Sequence, residues 1–365
     1  MKFKSNQIKF ITHPLILMQG PAIFLVQLLG PRAPNDSLVA LAKWVSSLGY
    51  RGVQIPTFRP DLFDLKKAAE SKTYCDEIKG MLNSYGLQIT ELSTHRQGHL
   101  VAFNSAYDTL LRGFGPPEYV DNPKGRQEWA RSQLMLAAKA SGNLGLHGHV
   151  TFSGHLMWPF LYPYPPPPAG LVDDAFTELA RIWRPILNAF DDQGVDVCFE
   201  LHPGEDLHDG YTFEMLLEKL NHHPRLNILY DPSHLYLQHM DYVGFIEIYH
   251  QRIKAFHVKD AEFIKSPRGG TYGGYQPWGK RPGRFRSPGD GQIDFNSIFA
   301  RLTHHDFKRW AVVEWECYLK HAEDGARESV QFVNDHLIQA TEMSFDAFMR
   351  PKTDPNINRR ILNID

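Results

Sequence analysis

Short apolar runs alternate along this chain with longer amphipathic segments, and that rhythm commits a sequence to βα units and a parallel sheet. Eight runs read as strands: 22–28, 52–55, 88–93, 144–152, 195–200, 226–230, 253–258 and 311–315. Helical segments fall between them. Residues 36–48 open on an Asn/Asp cap and end at Gly49, 66–85 end at Gly86, 126–141 at Gly142, and 173–193 at Gly194. Glycine just past a helix relieves the left-handed position there. The pattern of glycine, one residue, then a strand recurs as LGYRGVQI, YGLQITEL and QGVDVCFE. Eight such units predict an α/β fold, a (β/α)8 barrel in one domain over residues 1–340, with 341–365 as a polar tail. That tail is expected to pack loosely or to reach a neighbouring subunit.

Composition sets the outer limits. With 42% hydrophobic and 22% charged residues, the chain of 365 can bury a large core without disulfides. A formal charge of −2 provides no global basic field, which argues against a nucleic-acid partner. Cys75, Cys198 and Cys317 form no CxxC pair and suit a reducing cytoplasm. Lys2 and Lys4 precede an apolar stretch from Leu15 to Leu29, but Gln19, Gly20, Pro21 and Gln27 interrupt it. It reads as the first barrel strand rather than a membrane span, and no A-x-A-like cleavage site follows.

Three segments break the rhythm, each after an expected strand. Residues 95–125 show little periodicity, 153–170 contain the stiff run from Tyr162 to Pro168, and 261–291 are rich in Gly, Pro, Arg and Lys. In a (β/α)8 barrel the loops after strands build the catalytic face.

Four strand ends carry metal-capable side chains. VCFELHPGE reaches Glu200, NILYDPSH reaches Asp231, KAFHVKDAE carries His257, and AVVEWEC carries Glu314. The first two steps are 31 and 26 residues, each about one βα unit, and the 57-residue step to Glu314 is one unit plus the irregular insertion. Four consecutive strands can therefore aim their ends at one point. Three carboxylates and an imidazole make a hard, oxygen-rich site suited to one divalent ion, Mn²⁺ first, with Mg²⁺, Co²⁺, Fe²⁺ and Zn²⁺ as alternatives. Without a cation, three packed carboxylates repel and raise one another's pKa.

The segments ELHPGEDLHDG, YDPSHLYLQ, FHVKDAEF, GRFRSPGDGQIDF and VVEWEC resemble the sugar phosphate isomerase/epimerase superfamily, whose TIM barrel is xylose isomerase-like. The resemblance spans roughly residues 20–340 and is densest from 195 to 320. It implies that Glu200, Asp231, His257 and Glu314 are the metal ligands. It also implies removal of a proton from carbon beside a carbonyl, with the developing enolate charge spread onto the cation. In the epimerases so resembled, two ligand glutamates on opposite faces exchange protons with the substrate, positions held here by Glu200 and Glu314. The superfamily includes ketose 3-epimerases, inosose dehydratases and the larger subunits of enzymes that cleave 3-keto glycosides, including C-glycosides. Its members often form homo-oligomers, and the glycoside-cleaving ones pair with a small second subunit.

Other residues carry weaker signals. His202, two after Glu200, and His234, three after Asp231, are candidate substrate or metal-water contacts, with structural roles as the alternative. Glu316 competes with Glu314 as ligand. Lys259 and Asp260 follow His257 and read equally as a salt-bridged strand end. Arg284, between Arg281 and Arg286, suits contact with a sugar diol or carboxylate, and an Arg in this stretch helps hold substrate in the resembled family. Among His147, His149 and His155, the last is the candidate for a base separate from the metal glutamates, with an exposed loop position as the alternative. Trp158 and the Tyr/Pro run could stack on a sugar face or an aglycone, or simply pack a lid.

These residues support two enzymatic expectations: a metal-dependent epimerase or isomerase of a keto sugar, and a lyase that cleaves a 3-keto glycoside or dehydrates a keto-cyclitol. A non-catalytic sugar-binding or assembly subunit is the alternative of another class. An apurinic endonuclease, found on a related barrel, would need a basic DNA face that this chain lacks.

Overall fold

In the computed structural model, which describes residues 18–339 and 356–364, the apolar runs become β1 (Gln19–Phe24), β2 (Gly52–Pro56), β3 (Gln88–Ser93), β4 (Gly148–Thr151), β5 (Asp196–Glu200), β6 (Leu226–Tyr230) and β7 (Ile253–Val258). A hairpin of β8 (Asp260–Phe263) and β9 (Gly283–Arg286) follows, then β10 (Trp310–Val313). Among the described residues, β1 to β7 and β10 are parallel and close into a barrel, because β1 pairs with both β2 and β10. Closure leaves no exposed sheet edge. The barrel interior is filled by small clusters such as Val150, Cys198, Leu229 and Ala255. The larger apolar core lies between the strands and the surrounding helices. The three cysteines are unpaired, with Cys75 and Cys198 buried. Among the described residues no helix is long and apolar enough to cross a membrane.

The third, sixth and seventh strands lie where the pattern predicts, and the differences elsewhere have local causes. The first strand stops at Phe24, and Val26–Leu28 forms a 3-10 turn that carries Gln27 toward the barrel mouth. The expected helix 66–85 is two helices, Leu65–Glu70 and Lys72–Ser84, because the Ser71 side chain accepts from Tyr74 N and caps a new start. The expected helix 126–141 runs over Pro123–Leu144 and ends at Gly145, not Gly142, which shortens the fourth strand to Gly148–Thr151. Asn122 caps its start, and Pro123 sits in the first turn where its missing N–H costs nothing.

All three irregular segments contain ordered elements, that in 153–170 being a 3-10 turn, Trp158–Phe160. The helix His95–Val101 leaves directly from β3, and a Cβ on its Gly98 would meet Phe152 N and O at 2.7 Å. Only glycine lets this helix lie so closely on the exit of β4. In the glycine-rich insertion, β8 and β9 pair with Glu262 opposite Arg284. The Asp260 carboxylate gathers the backbone N–H groups of Ala261, Gly289, Gly291 and Ile293 and so fixes the base of that hairpin. Of the expected polar tail, 356–364 contain a short helix, Ile357–Leu362, while 341–355 and 365 lie outside the described residues.

Candidate metal centre

Four buried residues able to ligate a metal converge at the C-terminal mouth of the barrel. Glu200 is the last residue of β5, Asp231 follows β6, His257 is the fifth residue of β7, and Glu314 follows β10. One ligand atom from each lies within 4.8 Å of the others. Asp231 also caps the helix Pro232–Leu237: its Oδ1 accepts from Ser233 N at 2.8 Å and from Ser233 Oγ at 2.7 Å. Its Oδ2 is buried with no hydrogen bond, and neither oxygen of Glu200 has a well-directed one. Buried carboxylate oxygens that lack well-directed hydrogen bonds are costly even beside imidazoles, and a divalent cation would offset that cost. The donor set thus fits the ion that it was expected to hold.

The imidazole is set up for the same purpose. Nδ1 of His257 lies 2.9 Å from Glu314 Oε2, inside the cluster, while Nε2 meets Gln54 Oε1 at 3.0 Å. Gln54 Nε2 in turn donates to Glu91 Oε2 at 3.0 Å. A carboxylate accepts only, so it orients the amide, and the amide oxygen then keeps the His257 proton on Nε2 and leaves Nδ1 for a cation.

Charge at the site is partly balanced by protein groups. Lys259 Nζ is buried 3.2 Å from Glu314, 3.1 Å from Glu316 and 3.9 Å from Asp231, and it lies 4.5 Å above the Phe285 ring. Burial works to lower its pKa, but Glu314, Glu316 and Asp231 outweigh that and hold it well above the usual value. Burial pushes the Asp231 carboxyl up to about 7, with His234 and Lys259 opposing. For Glu200, burial is outweighed by contacts at 2.9 Å to the Nε2 atoms of His234 and His95, which hold the carboxyl well below the usual range. One ammonium among three carboxylates and Glu316 leaves an excess of negative charge for a cation to meet.

Glu200 and Glu314 line a cavity of about 330 Å³, together with His95, His99, His202, Lys259 and Glu316. A neighbouring cavity of about 670 Å³ shares His202 and Glu316 with it and is walled by Trp158, Tyr272, Trp278, Arg281 and Phe285. His202 therefore lies at the junction, its ring centroid 4.0 Å from that of His234, which lines the larger cavity. Burial lowers the His202 pKa to about 3. Asp206 anchors Trp158 by accepting from the backbone N–H groups of Leu156, Met157 and Trp158.

Two candidates lie away from these cavities. Arg284 turns to Glu262, at 2.7 Å, and stacks 4.6 Å from the Tyr318 ring; it is Arg281 that lines the larger cavity. His155 is neither exposed nor a lining residue. A backbone bridge to Phe103, with His155 N donating to Ala102 O, turns it inward to 3.6 Å from Glu205. Glu316 pairs with Lys259 and stays outside the ligand cluster. His149 is buried in the barrel, bonded to Thr94 Oγ1 at 2.7 Å. Sequence reasoning missed Gln27, whose Nε2 donates to Glu314 Oε1 at 2.9 Å, and also Gln54, Glu91, His95, His99 and Glu205. The usable signals were polar residues inside the strand runs GVQIP and QITELS, and two histidines four apart in HRQGH.

Comparison with known proteins agrees with this architecture. A model of the xylose isomerase-like TIM barrel matches residues 42–336. An inosose dehydratase of Bacillus velezensis is 32% identical over 124 residues, 34% of this chain and 41% of the relative. One from Halalkalibacterium halodurans is 29% identical over 153 residues, 41% of this chain and 50% of the relative. The matched region thus spans half or less of these curated relatives. Among solved structures, 3-keto-D-glucoside 4-epimerase from E. coli superposes with a TM-score of 0.58 at 14% identity, over 83% of this chain and 97% of that one. That likeness is one of fold. With most of its length matched by the family model and its strands closed in the corresponding barrel, this chain belongs to the xylose isomerase-like TIM barrel family.

Proposed function

We propose that this chain is a divalent-metal enzyme that takes a proton from the carbon beside the carbonyl of a keto sugar or keto glycoside and returns it to give an epimer or isomer. The observation that carries this reading is the convergence of Glu200, Asp231, His257 and Glu314 on atoms within 4.8 Å of one another. A bound ion, Mn²⁺ first, would supply Lewis acidity to the carbonyl and neighbouring hydroxyl oxygens. Glu200 and Glu314 line the smaller cavity and are the carboxylates that take and return the proton. Each has proton-bearing neighbours, His95 and His234 for Glu200, and Lys259 and Gln27 for Glu314. His202 and His234 bind substrate hydroxyls at the junction of the cavities. In solution we expect a homo-oligomer, with a small second subunit as a further partner.

Two observations favour a second reading, a lyase. The aromatic cavity of about 670 Å³ adjoins the metal cavity and has room for an aglycone. The partial sequence likeness is to inosose dehydratases. The test is incubation of Mn²⁺-loaded protein in D₂O with a panel of ketoses and 3-keto glucosides. Deuterium should enter only beside the carbonyl, and product mass then separates an isomer from loss of water or aglycone. Failure of any substrate in the panel to take up deuterium rules out both readings.

A further inference from the structure

A second cluster of titratable groups adjoins the metal cavity and is not used by the chemistry above. Glu205, in the loop after β5, has no exposed side-chain surface. Its Oε2 accepts the Gly154 N–H at 2.7 Å, and its Oε1 lies 2.5 Å from Nδ1 of His99. His99 is on the helix His95–Val101, lines the same cavity as Glu200 and Glu314, and keeps 24% of its side chain exposed. Its ring centroid is 4.5 Å from that of Phe152, which fixes its tilt. Nδ1 is thus committed to a buried carboxylate, while among the described residues no hydrogen bond holds Nε2. A carboxylate on one ring nitrogen, with the other free toward a substrate cavity, fixes the tautomer and stabilises the imidazolium.

We propose that His99, held by the positioning residue Glu205, is the general acid that protonates the departing group when the substrate undergoes β-elimination. The proposal rests on the lyase reading and on proton abstraction beside the carbonyl. With a 3-keto glucoside, a metal-site glutamate takes the proton from C2, and the C–H electron pair passes into the C1–C2 double bond. The C1–O bond breaks, its electron pair stays on the leaving oxygen, and that oxygen takes the proton from His99 Nε2. The products are an unsaturated ketone and a neutral alcohol; one proton is taken and one is given, so no oxidant is needed. Both groups are reset by exchange with water.

A pair of leaving groups tests this. Methoxide needs a proton to depart, whereas p-nitrophenolate does not. With the Mn²⁺-loaded protein, H99Q and H99N should lose about 100-fold or more in kcat on methyl 3-keto-β-D-glucoside. On the p-nitrophenyl analogue the loss should be at least about ten-fold smaller, within the range that general acid catalysis supplies. E205Q should lower kcat on the methyl glycoside with KM unchanged. Circular dichroism and melting curves serve as the folding check, and the two His99 replacements guard against failure of one to fold. Equal losses on both glycosides, or no loss on either, would overturn the proposal. So would a second equivalent of Mn²⁺ or Zn²⁺ that is lost in E205Q, since His99, His155 and Glu205 would then be cation ligands. Wild-type protein that takes up deuterium from D₂O but expels neither group overturns the His99 role and leaves proton abstraction standing. Wild-type protein that takes up none overturns the underlying reading as well.

Discussion

Gln54 lies between a carboxylate and an imidazole, and its amide has one favourable orientation. Glu91 accepts from its nitrogen, so its oxygen faces His257 Nε2. Gln54→Leu removes that acceptor without opening the barrel interior to water. Its affinity for Mn²⁺, measured by titration calorimetry, should fall about 10- to 100-fold, as for other partners of metal-bound histidines. An unchanged affinity would show that the tautomer is set by something else. His149 offers a pH test. Burial depresses its pKa from 6.5 to about 3. Because the folded value is the lower one, this imidazole contributes stability above pH 6.5, lost as pH falls from there toward 3. His149→Gln, which does not titrate, should lessen the drop in melting temperature between pH 6.5 and 4. An identical slope in the two proteins would count against it.

At the scale of elements, the helix His95–Val101 carries three cavity residues, His95, Arg96 and His99, and its position depends on one hydrogen-sized gap. Gly98→Ala places a methyl group 2.7 Å from the Phe152 backbone, so the helix must move away from β4. Overpacking of this kind costs about 1–3 kcal/mol. The expected result is a lower melting temperature together with slower deuterium uptake, because His95 withdraws from Glu200. Loss of stability at full exchange rate would mean that the helix does not serve the site. The loop bearing Trp158 is fixed differently, through three backbone N–H groups on one buried carboxylate. Asp206→Ala should release it. KM should rise for keto glycosides with large aglycones and stay near the wild-type value for free ketoses; a uniform rise would assign the loop to packing alone.

For the whole molecule, the barrel joins residues far apart in sequence, and the cation is expected to hold their strands together. A ligand that binds only the folded state at 100 times its Kd adds about 2.7 kcal/mol. Mn²⁺ at that excess should raise the melting temperature of the wild-type chain, and chelation should reverse the gain. The double variant Glu200→Gln, Glu314→Gln should melt at the same temperature with and without Mn²⁺. A gain retained in that variant would locate the bound ion elsewhere.

The sequence by itself determined the βα rhythm and the four candidate ligands, because each lies at or just beyond the end of its own apolar strand and the spacing of strand ends is a local property. It also marked the loops that carry Trp158 and His202. The tertiary structure alone decided which residues meet those ligands. Barrel closure sets β1 between β2 and β10, and so brings Gln54 and Glu91 to His257 across 203 and 166 positions of sequence. The residues after β3 looked aperiodic because their helix has only seven residues, too few for a repeating face, yet packing against β4 turns His95 and His99 into the cavity. Arg284 and His155 followed the same logic in reverse. Each is chemically suited to a site, and each is turned toward a buried carboxylate that no local pattern could have named.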